Sequence, residues 1–161
     1  MARSRVRTAT VFTITLIAAF TAMFTFAPGA AFSDPRRIVS LYPGHTDNIV
    51  ALGAGNRLVA VSREDGYPGL PRFSPKVDAE AVLALHPDAV FLRSLVEQMN
   101  PHLTEILERA GVAVHVIDPP SWNAFGDYLA RLAEILGTDP EEARNRLVAA
   151  REAVAQRAGE R

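Results

Sequence analysis

Between residues 36 and 118, short runs rich in β-branched residues alternate with segments whose apolar residues recur at helical spacing. Few architectures accept that alternation. Each helix must bury its stripe on a sheet, and stacked βα units build an α/β layer around a parallel sheet. The pattern predicts strands at 38–41, 58–62, 89–92 and 112–117, so a sheet of about four strands with flanking helices. Helices are expected from Thr46 or Asp47 to Leu52, from an N-cap at Asp78 to Leu85, and from the Asn100-Pro101 pair to Ala110, where Gly111 closes the last one. Residues 63–75 hold three prolines and two glycines and read as a loop.

Two more helices complete the chain. Ser121 is expected to cap the first, which places Trp122, Phe125, Leu129, Leu132 and Leu136 on one stripe and stops at Gly137. The second opens at Asp139-Pro140-Glu141-Glu142 and runs to about Ala158, with a thin inward stripe of Ala143, Leu147, Ala150 and Val154. A helix charged over most of its surface leans on one neighbour rather than sitting in a core.

Before this fold begins, a basic stretch with Arg3, Arg5 and Arg7 precedes an uncharged run over residues 8–27 and a small-residue segment ending in Ala31-Phe32-Ser33. This reads as a signal peptide, residues 1–33, with cleavage after Ser33. An uncleaved anchor is the alternative, since 20 residues at about 1.5 Å each reach across a bilayer. Either way the folded part lies on the far side of the membrane, in the periplasm. Once the three leading arginines are set aside, 14 basic residues face 18 acidic ones, a balance with no electrostatic affinity for nucleic acid. The chain has no cysteine, which excludes disulfides, thiolate metal sites and thiol nucleophiles.

The segment IVSLYPGHTDNIVALGAGNRLVAV (38–61), followed by DAEAVLALHPDAVFL (78–92), resembles the periplasmic substrate-binding proteins that serve siderophore, haem and vitamin B12 importers. The likeness lies in ordered features: a strand ending in Ser-Leu, a turn with Thr46-Asp47 opening a helix, Leu52-Gly53, Glu80, Ala84-Leu85, Pro87-Asp88 and Gly111. Such proteins have two α/β lobes joined by one long helix, with the ligand between them. The resemblance therefore implies an N-terminal lobe over residues 34–137 and a bridging helix over 138–161, ahead of a second lobe. It also implies non-enzymatic capture of a metal chelate, a ferric siderophore before cobalamin or haem, and delivery to an ABC permease. Glu80 is the residue that the resemblance assigns to permease docking.

In parallel α/β folds ligands bind beyond the carboxyl ends of the strands, which directs attention to the loops at 42–46, 63–67, 93–96 and 119–122. Tyr42 and Tyr67 offer aromatic faces to a macrocycle or catechol, Arg63 and Arg93 offer cations to an anionic chelate, and His45 and Glu64 complete the candidate set. Cobalamin-binding members carry aromatics where Glu64 and Arg93 stand here, which favours an anionic ferric siderophore. The four histidines, His45, His86, His102 and His115, have no short ligand spacing, so no resident metal or cofactor is expected. No Gly-x-Ser-x-Gly elbow, Walker loop or Gly-x-Gly-x-x-Gly is present. An exported α/β enzyme, an interaction domain or a fragment without function are the rival readings.

Overall fold

The computed structural model describes residues 34–159. The expected signal peptide lies outside the described residues. The chain forms β1 (Ile38–Ser40), α1 (Pro43–Ala51), a 3-10 turn (Gly55–Arg57), β2 (Leu58–Ser62), β3 (Arg72–Phe73) and α2 (Ala79–Leu83). There follow β4 (Ala89–Leu92), α3 (Ser94–Met99), α4 (Pro101–Arg109), β5 (Ala113–Val116), a 3-10 turn (Trp122–Ala124), α5 (Phe125–Leu136) and α6 (Glu141–Gly159). All the strand pairings are parallel, in the order β3-β2-β1-β4-β5.

Strand side chains alternate between two cores, as the period of two requires. Ile38, Val61, Ala89, Phe91 and Ile117 meet Ile49 of α1, Leu52 just past its end, and Leu129, Leu132 and Leu136 of α5. Val39, Leu41, Ala60, Val90 and Leu92 face the other way, onto Val82, Val96, Leu103 and Leu107 of α2, α3 and α4. The Pro87-Asp88 turn fastens this layer. Asp88 Oδ2 accepts the backbone N–H groups of Arg36 (2.8 Å) and Arg37 (2.9 Å), and the Arg37 guanidinium donates to the Leu85 and His86 carbonyls at the end of α2.

Four details depart from the sequence reading. A fifth strand, β3, lies inside the stretch expected to be a loop: Arg72 and Phe73 pair with Val61 and Ser62. Two residues are too few to register as a strand pattern. Helix α1 begins at Pro43 rather than Thr46, because a proline at the first helical position gives up an N–H that has no intrahelical partner. Thr46 caps nothing, and its hydroxyl donates instead to Ser40 Oγ (2.9 Å). Residues 94–99 form the short helix α3 where a loop was expected. Trp122 leaves the α5 stripe and is 61% exposed, since the 3-10 turn that holds it advances the chain at a different angle from the α-helix behind it. Tyr128 and Ala133 are buried on the stripe as well.

Gly137 stops α5 as expected, in a left-handed conformation (φ 62°). A Cβ at this position would sit 3.1 Å from Asp34 Cβ. Gly137→Ala should therefore destabilise the fold by about 1–2 kcal/mol, read as a lower urea midpoint. An unchanged midpoint would contradict the left-handed cap. After the glycine, Asp139 Oδ1 accepts from Glu141 N (2.9 Å) and opens α6. Ala143 is buried and Leu147 half-buried, while the side chains of Ala150 and Val154 lie outside the described residues.

Candidate functional site

The strand order reverses beside β1. The chain builds outward through β2 and β3 on one side, then returns to place β4 and β5 on the other. At such a switch point the loops leaving neighbouring strands part company, and a crevice opens beyond the carboxyl ends. A cavity of about 310 Å³ lies there. Its wall is supplied by Leu41, Tyr42 and Pro43 after β1, Glu64 after β2, Pro75 after β3, and Arg93, Leu95, Val96 and Met99 after β4. The Arg93 guanidinium carbon stands 5.0 Å from the centre of the Tyr42 ring, within cation–π range. Leu95 and Met99, one turn apart on α3, are 46% and 42% exposed. The cavity thus combines one cation, one carboxylate and a largely apolar wall.

Helix α3 owes its position to the end of the next strand. Asp118, just past β5, accepts the Ser94 backbone N–H (3.0 Å) and the Ser94 hydroxyl, which satisfies donors at the first turn. Those bonds, the hydroxyl's foremost, hold the Asp118 carboxyl below its usual pKa.

Of the expected ligand residues, Tyr42, Glu64 and Arg93 converge on the cavity. Arg63 is exposed beside it but does not line it, and its backbone N–H is spent on the Phe73 carbonyl (2.8 Å). Tyr67 is a correction. Because β3 runs parallel to β2, residues 63–71 must return toward the amino ends of the strands, and Tyr67 travels with them. Its hydroxyl lies 3.5 Å from the Gly55 carbonyl, ahead of β2. His45 is a second correction: it is fully buried, within the first turn of α1, and does not line this cavity. Glu80 sits exposed in the first turn of α2, behind an Asp78 N-cap, as expected. The docking role given to it concerns a partner and is taken up below.

His45 has a structural task instead. Nε2 lies 2.9 Å from the Ile117 carbonyl, which can only accept, so Nε2 carries the proton and Nδ1 accepts from the Tyr128 hydroxyl (2.8 Å). Its ring meets Tyr42 edge-on at 5.1 Å. The pair links the loop after β5, helix α5 and the floor of the cavity. Burial lowers the His45 pKa, and burial with the nearby Arg131 charge lowers that of His115. Burial first of all raises the Tyr128 hydroxyl to about 12.

A pH dependence follows. Both histidines are depressed below the ordinary value of about 6.5, so between the folded and unfolded values the unfolded chain binds more protons. Their stabilising contribution is complete above about 6.5 and is lost as pH falls through the lowered folded values. Urea midpoints should fall between pH 7.5 and pH 5, well above the acid range where Asp118 titrates. His45→Asn should flatten that fall. A midpoint constant over this interval would contradict the neutral buried His45 and half-buried His115.

The fold is thus an open, doubly wound α/β lobe with a crevice of ligand size at its switch point. Over 90 residues the chain is 31% identical to an uncharacterized ABC transporter substrate-binding lipoprotein of Bacillus subtilis, spanning 53% of this chain and 29% of that protein. It is 28% identical over 119 residues to the vitamin B12-binding protein of Photorhabdus laumondii, spanning 70% of this chain and 42% of that one. Among solved structures, a periplasmic heme binding protein from Pseudomonas aeruginosa superposes with a TM-score of 0.67 and 31% identity, over 78% of this chain and 46% of its own. The chain is similar to periplasmic and ABC-importer substrate-binding proteins, and its fold matches one lobe of theirs. It spans less than half the length of each of these relatives. No protein-family model matches it. A further match, 30% identity over 102 residues, is to ribosomal RNA small subunit methyltransferase G of Mycobacterium avium, over 58% of this chain and 38% of that one. The turn after β1 here reads Tyr42-Pro43-Gly44-His45, with no glycine-rich nucleotide fingerprint.

The sequence reading placed Leu95 and Val96 in a candidate loop without singling them out, and missed Leu41, Pro75 and Met99. The signal for Leu95, Val96 and Met99 is helical spacing within 94–99, where Leu95 and Met99 fall four apart.

Proposed function

We propose that this chain is the N-terminal lobe of a periplasmic substrate-binding protein that captures a metal chelate in the switch-point cavity and delivers it to an ABC permease. Residues 1–33 would direct export and α6 would bridge to a second lobe. The observation that carries the reading is the cavity itself, in which a lone guanidinium stacked on Tyr42 faces a wall of Leu41, Pro43, Pro75, Leu95, Val96 and Met99. Such a wall suits a chelate with a broad apolar face and an anionic edge. Haem has both, and a haem-binding protein is among the relatives at 31% identity. A hydrophilic ferric siderophore would use Arg93 but leave the apolar wall without a partner, and cobalamin, also bound by a relative, lacks a carboxylate edge for Arg93. Titrating the purified chain with ferric haem, a ferric siderophore and cobalamin separates the three. Haem is expected to bind most tightly. Preference for the siderophore would move the ligand assignment, and no binding by any of them up to millimolar concentration would reject chelate capture.

Glu80 is proposed as a permease contact. Its exposure in the first turn of α2 makes Glu80→Arg cheap for folding, since a first-turn acid contributes only about 0.3–1 kcal/mol. The substitution should leave the urea midpoint nearly unchanged and weaken binding to permease-containing vesicles. Normal vesicle binding would remove Glu80 from the interface.

A further inference from the structure

The last four carbonyls of an α-helix find no partner within it. At the end of α5 all four are taken. Thr138 N donates to the Ala133 carbonyl (2.9 Å) and Gly137 N to that of Glu134 (3.3 Å), while Asp34 N donates to that of Ile135 (3.2 Å) and the Arg57 guanidinium to that of Leu136 (2.7 Å). Asp34 is thus seated on the helix end. Its carboxylate pairs with Arg57, and its Cα and Cβ lie 3.5 and 3.1 Å from where a Cβ on Gly137 would stand. The seat is strained, however. Asp34 holds φ 82°, in the left-handed region that a residue with a side chain seldom adopts. That torsion exists only through the amide bond to Ser33.

We infer that the Ser33–Asp34 bond is cut in the mature protein and that the freed amino group is a structural part of the lobe, an ammonium seated on the carbonyl end of α5. The inference rests on the export reading of residues 1–33 and gives the cut a role in folding. A signal peptidase adds water across the amide: the C–N bond breaks, Ser33 leaves as a carboxylate, and Asp34 keeps the nitrogen as an ammonium. With no preceding carbonyl carbon, φ ceases to be a constraint and the strain goes with the bond. A neutral N–H also becomes a cation beside the Ile135 and Leu136 carbonyls, where the helix dipole gathers about half a negative charge. An α-amino group titrates at about 7.7–8.0, so it is largely charged at neutral pH. Arg57 repels it, but the Asp34 carboxylate bound to Arg57 offsets that charge.

Urea unfolding of three forms of residues 34–161 tests the seat: Asp34 first and free, Asp34 first but acetylated, and the chain extended back to Gly29. The free form should fold with an equilibrium constant about 5- to 20-fold above the other two, which should agree within about twofold. In an Asp34→Gly background the gap should narrow, because glycine accepts the positive φ, but persist, because the charge remains. N-terminal sequencing of the chain expressed from Met1 and recovered from the periplasm should read Asp34-Pro35-Arg36. An uncleaved chain would overturn the export reading and this inference together. A start at another residue, or equal unfolding curves for the free and acetylated forms, would overturn the inference and leave export standing.

Discussion

Phe91→Ala should cost about 3–5 kcal/mol, the largest loss of any single truncation in this fold. Phe91 is the largest of the fully buried side chains, on a strand whose four residues are all buried. Its ring packs against His115 at 4.9 Å and lies 6.4 Å from His45, so its removal opens a void under the β5 edge and beside buried His45. Against a total of about 5–15 kcal/mol for a domain, such a loss leaves little. Thermal melts followed by circular dichroism should drop by roughly 10 °C or more. A drop of only a degree or two would mean that β4 is not the centre of the core.

That core was legible because the strands that build it are dense in β-branched and apolar residues. Ile38-Val39, the run 58–62, Ala89 to Leu92 and the run 113–116 each carry a local pattern that propensity and periodicity can find. Strand β3 carries none. Arg72 and Phe73 become a strand only because Val61 and Ser62 offer them an edge. Helix α3 was hidden for a related reason: its partner for the first turn, Asp118, arrives 24 residues later. The start of α1 was readable in principle, since Pro43 suits a first helical position as well as it suits a turn.

The candidate site divides along the same line. Tyr42, Glu64 and Arg93 follow a strand directly, and the rule that ligands gather at carboxyl ends was enough to place them. His45 stands three residues after Tyr42, but the helix begins at Pro43, so the side chain turns inward to Tyr128, 83 positions away. Tyr67 went astray because the return path to β3 was invisible once β3 itself was missing. The apolar wall of Leu95 and Met99 does not exist without α3, whose place depends on a tertiary contact with Asp118.

A second large effect is expected at the ligand. One lobe encloses a chelate on one side only, whereas ligand sites bury about 70–90% of a drug-sized molecule. Losing the other half of those contacts, on the order of 4 kcal/mol, weakens binding about a thousandfold, so this chain alone should bind haem no better than high micromolar. Arg93→Ala should weaken it by about a further 10- to 100-fold, the value of a charge-assisted hydrogen bond. Haem absorbance titrations of both proteins measure this. Nanomolar binding by the chain alone would show that it needs no second lobe, and equal affinity of the two proteins would remove Arg93 from the site.

Where the chelate sits decides the account more directly than how tightly it binds. Ferric haem broadens the NMR signals of nuclei close to its iron, so its position on the lobe can be read from the backbone amides it erases. The switch-point assignment predicts selective loss at Tyr42, Glu64, Arg93, Leu95 and Met99, with the amides of Gly55, Tyr67 and His86, remote from the cavity, left intact. Broadening centred on those remote amides, or spread evenly over the surface, would contradict it.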